Sequence, residues 1–235
     1  MAIAVQGDFF MNVSSLSQSV QSYLVPGLKR RCLWMSLLGV LLCGVSVALF
    51  KASAFGLDPY QCFMGGLDRT IPIGYGTLHI LVSIVLLINA VRMDRRLLGV
   101  STILNLLFLG YVVDGTGWLL RALFGVPSLA LRAVLMAVAL PVTCYAAALY
   151  YSADMGVSVY DAIALHVSAS KGWPFRFVRI STDLACVLIG LALGEKPGVG
   201  TIITAFCMGP LISFMRKKWT DPMVRAASPA EEERA

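Results

Sequence analysis

The sequence predicts an all-α membrane protein: six transmembrane helices plus two short non-spanning helices, arranged as two inverted three-span repeats. Three observations carry this. Apolar runs of about 18 residues or more recur along the chain. Basic residues gather on alternate connections between those runs. The chain also resembles itself at an offset of 100 residues, then 99. Only 14% of residues are charged, against about a quarter in a soluble domain. With six spans placed, no soluble domain of core-forming size remains.

Residues 1–31 read as a polar, Ser- and Gln-rich cytosolic arm with a short surface helix over Phe9–Tyr23. They lack the charged start, apolar middle and small-residue cleavage site of a signal peptide. Lys29-Arg30-Arg31 precedes the first span, Cys32–Ala52. Leu57–Asp68 is helix-sized but too short to cross. Tyr75–Val91 and Leu97–Leu120 are the second and third spans, separated by Arg92, Arg95 and Arg96, and they complete a repeat over 32–124. After the turn at Gly125, Pro127 and Ser128 comes the fourth span, Leu129–Tyr151. Ser158–Ser170 is again too short to cross. Phe175–Leu193 and Val199–Met215 are the fifth and sixth spans, and the second repeat covers 125–218. Residues 219–235 read as a cytosolic disordered tail, ending in an acidic stretch with nothing to bury.

The basic clusters at Lys29–Arg31, Arg92–Arg96, Lys171–Arg179 and Arg216–Arg225 fall on one side, so that side and both termini should be cytoplasmic. Lys51, Arg69, Arg121, Arg132 and Lys196 fall on the other. The net charge of +6 is then loop bias and not the mark of an acidic partner. No basic patch interleaved with aromatics speaks for nucleic acid. The six cysteines form no CxxC pair, and the two histidines are too far apart for a local metal motif. Neither cofactor nor metal is expected. No nucleophile–base constellation points to an enzyme.

The repeat rests on ordered matches. Gly56 pairs with Gly156, Tyr60 with Tyr160, Gly99-Val100-Ser101-Thr102 with Gly198-Val199-Gly200-Thr201, and Gly110 with Gly209. Three spans is an odd number, so the halves insert with opposite orientation, a common plan of secondary transporters. Asp58-Pro59-Tyr60-Gln61 and Ser158-Val159-Tyr160-Asp161 carry the capping chemistry of helix starts. Gly56 and Gly156 before them permit a sharp reversal. Such segments dip into the bundle or lie along its rim.

The candidate site centres on Arg179 and Asp183. A carboxylate near the bilayer centre costs at least ~2.5 kcal/mol, so it needs a partner or a task. Asp183 is either a titratable or cation-coordinating group in a substrate path, or a structural lock on Arg179 or a nearby hydroxyl. Arg179 could bind an anion, although an Arg one turn inside the membrane more often snorkels. Their repeat counterparts are His79 and Ser83, which makes any path asymmetric. His79 is a proton relay or a satisfied bundle residue. Asn105 bridges helices or touches a ligand. Asp58 and Asp161 cap the short helices, whose positive N-termini could also define an anion or substrate site. Gly198, Gly200 and Thr201 suit close packing of a helix start better than a phosphate loop, since no Lys follows. Gly209-Pro210 should kink the sixth span, as a hinge or a fixed bend.

The series Gly156…Asp161, Arg179…Asp183, Gly198-Val199-Gly200-Thr201 and Gly209-Pro210 resembles the YczE/YyaS/YitT group of bacterial integral membrane proteins over roughly residues 33–215. The fit is to the short YczE-like type, and Leu57-Asp58-Pro59 supplies the matching turn in the first half. The resemblance implies a bacterial cytoplasmic (inner) membrane and hands over no substrate. The expected function is movement of a small solute or ion across that membrane. The alternative is a non-transporting accessory protein, or a substrate-binding subunit of a larger transport or secretion complex. A homo-oligomer or a membrane partner is compatible with both.

Overall fold

Two long helices, α1 (Pro26–Ser53) and α5 (Leu129–Ala153), pack along each other at the centre of the bundle. The computed structural model describes residues 26–94 and 97–225, so the Phe9–Tyr23 helix and the acidic end of the chain lie outside it. The remaining helices are α2 (Pro59–Thr70), α3 (Tyr75–Met93), α4 (Val100–Phe124), α6 (Val159–Lys171), α7 (Phe175–Ala192) and α8 (Val199–Met215). A π turn, Arg216–Thr220, leads into α9 (Asp221–Arg225). No strand occurs among the described residues.

Small residues let the central pair approach. Ala146 and Ala148 are fully buried, and a Cβ on Gly39 would come within 2.9 Å of the Ala146 carbonyl oxygen. α4 packs on α1 and α8 on α5. α2 packs on α7, and α6 on α3. These pairs correspond at the repeat offset, but the broad packing of α3 on α4 has no equal between α7 and α8. The short helices lie within the bundle: Cys62 and Met64 of α2, and Ala162 and Ala164 of α6, are buried.

The connections that start the short helices match in detail. Ala54 and Asp154 take φ of 56° and 49°, and Gly56 and Gly156 take 111° and 106°. Asp58 accepts from the Gln61 amide, and Ser158 from the Asp161 amide. Each connection then reaches into the other half. The Gly200 amide donates to the Phe55 carbonyl at 2.8 Å, and the Ser101 amide to the Met155 carbonyl at 3.0 Å. A Cβ on Gly198 would overlap the Phe55 carbonyl, and one on Gly99 the Met155 carbonyl. Thr102 and Thr201 each accept from the amide three residues earlier, closing both helix starts.

Among the described residues, four helices are long and apolar enough to cross a bilayer: Arg30–Ser53, Tyr75–Met93, Val100–Phe124 and Leu129–Ala153. A fifth follows if Val199–Ala205 and Cys207–Val224, bent by 53°, count as one span. The bend falls in the turn that Pro210 interrupts. α7 has 18 residues but carries Arg176, Arg179 and Asp183, so length and apolarity alone do not make it a span.

Two boundaries differ from expectation. α1 begins at Pro26, within the predicted arm, because proline suits a first helical position. Residues 219–225 are not a disordered tail. Asp221 accepts from Ser152 Oγ at 2.6 Å, and Thr220 is fully buried beside it. The signal was Asp221-Pro222, a pair suited to the first turn of a helix.

Candidate functional site

Arg179 is the hub. It lies one turn before Asp183 on α7, and its Nε stands 3.3 Å from the Asp183 carboxylate. Its Nη1 donates to Asp161 in the first turn of α6. The guanidinium also lies over the Tyr160 ring, 4.6 Å from its centre. This corrects the expectation that Arg179 snorkels. Two carboxylates and an aromatic face hold it inward, and a guanidinium is shaped for such paired contacts. Its charge is already met by two carboxylates, so Arg179 is poorly placed to take an anion.

Both aspartates are further held. Tyr160 Oη donates to Asp183 at 2.8 Å. Asp161 accepts from Tyr151 Oη at 3.0 Å and from Ser158 Oγ at 2.8 Å. The cap of α6 is therefore Ser158, and Asp161 turns its charge toward Arg179. Asp58 caps α2 as expected, and its charge also bears on Asp183 and Arg179. Burial pushes the Asp58 carboxyl up to about 6. Two carboxylates thus hold the guanidinium directly, and Asp58 acts on it only electrostatically, from beyond ion-pair distance.

The first half meets this cluster through Tyr60. Its ring stacks on Tyr160 with centroids 4.9 Å apart. The other face of the contact leads to His79, whose ring lies edge-on to Tyr60 at 6.5 Å. His79 is 2% exposed, and its Nε2 stands 3.5 Å from Ser83 Oγ. Its Nδ1 faces the Asn105 main chain without a well-formed bond. The Tyr60 hydroxyl is likewise buried beside Ser83 without a well-formed bond.

The structure therefore brings Arg179, Asp183 and Asp161 together with Asp58 nearby, and links His79 to them through Tyr60 and, by way of Tyr75 and Gln61, to Asp58. Asn105 stands behind His79, outside the cluster. Gly56, Gly156, Gly198, Gly200 and Thr201 form the junctions between halves described above. Gly209 is not a close-packing position, since a Cβ there would meet nothing within 4 Å. Tyr60, Tyr151 and Tyr160 were missed as site residues. The signal was present for two of them, because Tyr60 and Tyr160 occupy the same place in both halves.

Among the described residues, no three His, Cys, Asp or Glu side chains come together to hold a metal. No solved structure matches the chain. The uncharacterised membrane protein YczE of Bacillus subtilis is 22% identical over 175 residues, covering 74% of this chain and 80% of that protein. The uncharacterised protein YyaS of the same organism is 21% identical over 178 residues, covering 74% and 87%. An uncharacterised protein of Haemophilus influenzae is 22% identical over 176 residues, covering 73% and 77%. Residues 29–217 match the family of unknown function DUF6198. A match over most of its length, with YczE and YyaS among the similar proteins, makes this chain a member of that family and a YczE/YyaS-like membrane protein.

Proposed function

We propose that the protein carries a small cationic solute or a proton across the bacterial cytoplasmic membrane, in six spans formed by two inverted three-span repeats. The observation behind this is the charge count at the site. Asp161 and Asp183 hold one guanidinium, Arg179, and the charge of Asp58 bears on the same pair where the short helices of the two halves meet. A surplus of carboxylates in a low-dielectric interior favours a cation or a bound proton.

The six-span reading draws support from this compensation. Two of the three charges of α7 that argue against a span, Arg179 and Asp183, are met by partners within the bundle. Ile180, Leu184 and Leu188 on α7 are exposed and apolar, suited to acyl chains. The inverted repeat draws support from the paired junctions at Phe55–Gly200 and Met155–Ser101. Orientation draws support from the ion pairs: Lys51 with Asp68, and Arg69 with Glu195, gather the residues assigned to the outer side.

The test is flux into proteoliposomes, with an imposed pH gradient in one arm and a labelled monovalent organic amine in the other. Wild type should show flux in at least one arm, and Asp183→Asn should lower it by about tenfold, the equivalent of 1.4 kcal/mol. Equal flux through both proteins, with both folded, would reduce Asp183 to a lock on Arg179.

A further inference from the structure

We infer a second site, for a short zwitterion, in the cavity between α1, α4 and the α4–α5 turn. The reading is independent of transport through the Arg179 cluster. The cavity has a volume of about 360 Å³, within the range of small-molecule sites. Lys51, Asp68, Asp114 and Arg121 supply its charges, and Leu120 and Leu135 are among its apolar walls.

Two of the four charges cancel. Lys51 Nζ stands 2.9 Å from Asp68 and lies over the Tyr75 ring at 4.3 Å. The other two do not. Asp114 accepts from the Gly76 amide at 2.7 Å but has no cationic partner among the described residues. Arg121 donates from Nε to the Gly117 carbonyl at 3.1 Å and has no carboxylate partner among them either.

Asp114 and Arg121 are seven residues apart on α4, so they lie two turns apart on nearly one face, about 10 Å along the axis. The Gly117 bond turns the guanidinium back by a turn, toward Asp114. A carboxylate and a guanidinium then face one apolar-walled space from two ends. That arrangement complements a molecule with an ammonium at one end and an anionic oxygen group at the other. A soluble amino acid-like zwitterion has this chemistry, and so does a phosphoethanolamine lipid headgroup.

The experiment uses the full chain in detergent and in nanodiscs, read by thermal unfolding and calorimetric titration. The soluble probes are 4-aminobutyrate, β-alanine and O-phosphoethanolamine, with acetate and methylammonium as single-charge controls. The lipid arm compares phosphatidylethanolamine with phosphatidylglycerol nanodiscs. At least one zwitterion, free or in the lipid, should raise the unfolding temperature where the controls do not. Asp114→Asn keeps an acceptor for the Gly76 amide but loses the charge, and Arg121→Gln keeps a donor. Each should weaken binding by about tenfold. Asp183→Asn should leave it unchanged, which separates this site from the Arg179 cluster. Stabilisation by soluble probes alone assigns a solute, and stabilisation by phosphatidylethanolamine alone assigns the headgroup. Equal effects from the single-charge controls, no stabilisation in either arm, or retention in both charge variants would overturn the inference.

Discussion

Tyr60 and Tyr160, one hundred residues apart in sequence, stack with their ring centres 4.9 Å apart and their planes 29° apart. The two rings face different chemistry. Tyr160 donates to Asp183, while the Tyr60 hydroxyl is buried without a well-formed bond.

Removing the two hydroxyls should therefore have unequal effects. Tyr160→Phe loses a hydrogen bond to a charged group and should cost about 1.5–3 kcal/mol. Tyr60→Phe should lie within about 0.5 kcal/mol of wild type or be slightly stabilising. Equilibrium unfolding in detergent would distinguish them, and equal costs would contradict the assignment of the two hydroxyls.

Arg179→Gln leaves Asp161 and Asp183 without their cation. Breaking a buried pair from one side costs about 3–5 kcal/mol, and partial exposure of Arg179 places this case at or below the lower end. Adding Asp183→Asn to Arg179→Gln should recover part of the loss. A double-mutant cycle on unfolding free energies would measure the coupling.

The glycines of the repeat should separate into two groups. Gly99→Ala and Gly198→Ala each drive a Cβ into a backbone carbonyl of the other half, and should cost about 1–3 kcal/mol or more. Gly209→Ala enters open space and should be neutral or favourable by up to ~1 kcal/mol through helix propensity. Thermal unfolding of the three single variants checks this, and a large cost at Gly209 would contradict it.

Asp58 lies in the connection between α1 and α2, and burial raises its carboxyl to about 6, against about 3.9 for an ordinary Asp. The folded state then holds this proton more tightly than the unfolded state. Its contribution to stability is fully present below about pH 4 and is lost as pH rises through about 6. Asp58→Asn keeps the cap and removes the titration. The unfolding temperature of the variant relative to wild type should therefore be more favourable at pH 7 than at pH 4.

Much of this was legible in the chain because local chemistry wrote it. Asp58-Pro59 and Ser158 announce helix starts, and Arg179 and Asp183 sit at the helical spacing that makes them touch. What the sequence concealed depends on where side chains point. Asp161 reads as a cap residue, and only the approach of α6 to α7 makes it the second anchor of Arg179. The same approach reverses the snorkelling expectation, since an inward partner outweighs a reach to the interface. The fold of residues 219–225 was hidden behind Arg216-Lys217-Lys218, which looks like the cytoplasmic end of a span.

The junctions at Met155–Ser101 and Phe55–Gly200 also bear on how the chain is made. The N-terminal end of α4 is synthesised well before residues 155–157, whose carbonyls receive its Ser101 amide and Thr102 hydroxyl. A ribosome that has delivered the chain only as far as α4 has delivered a helix mouth still waiting for its lid. Neither unit is a finished article alone, and separately expressed halves would have to find each other in the membrane before either could mature.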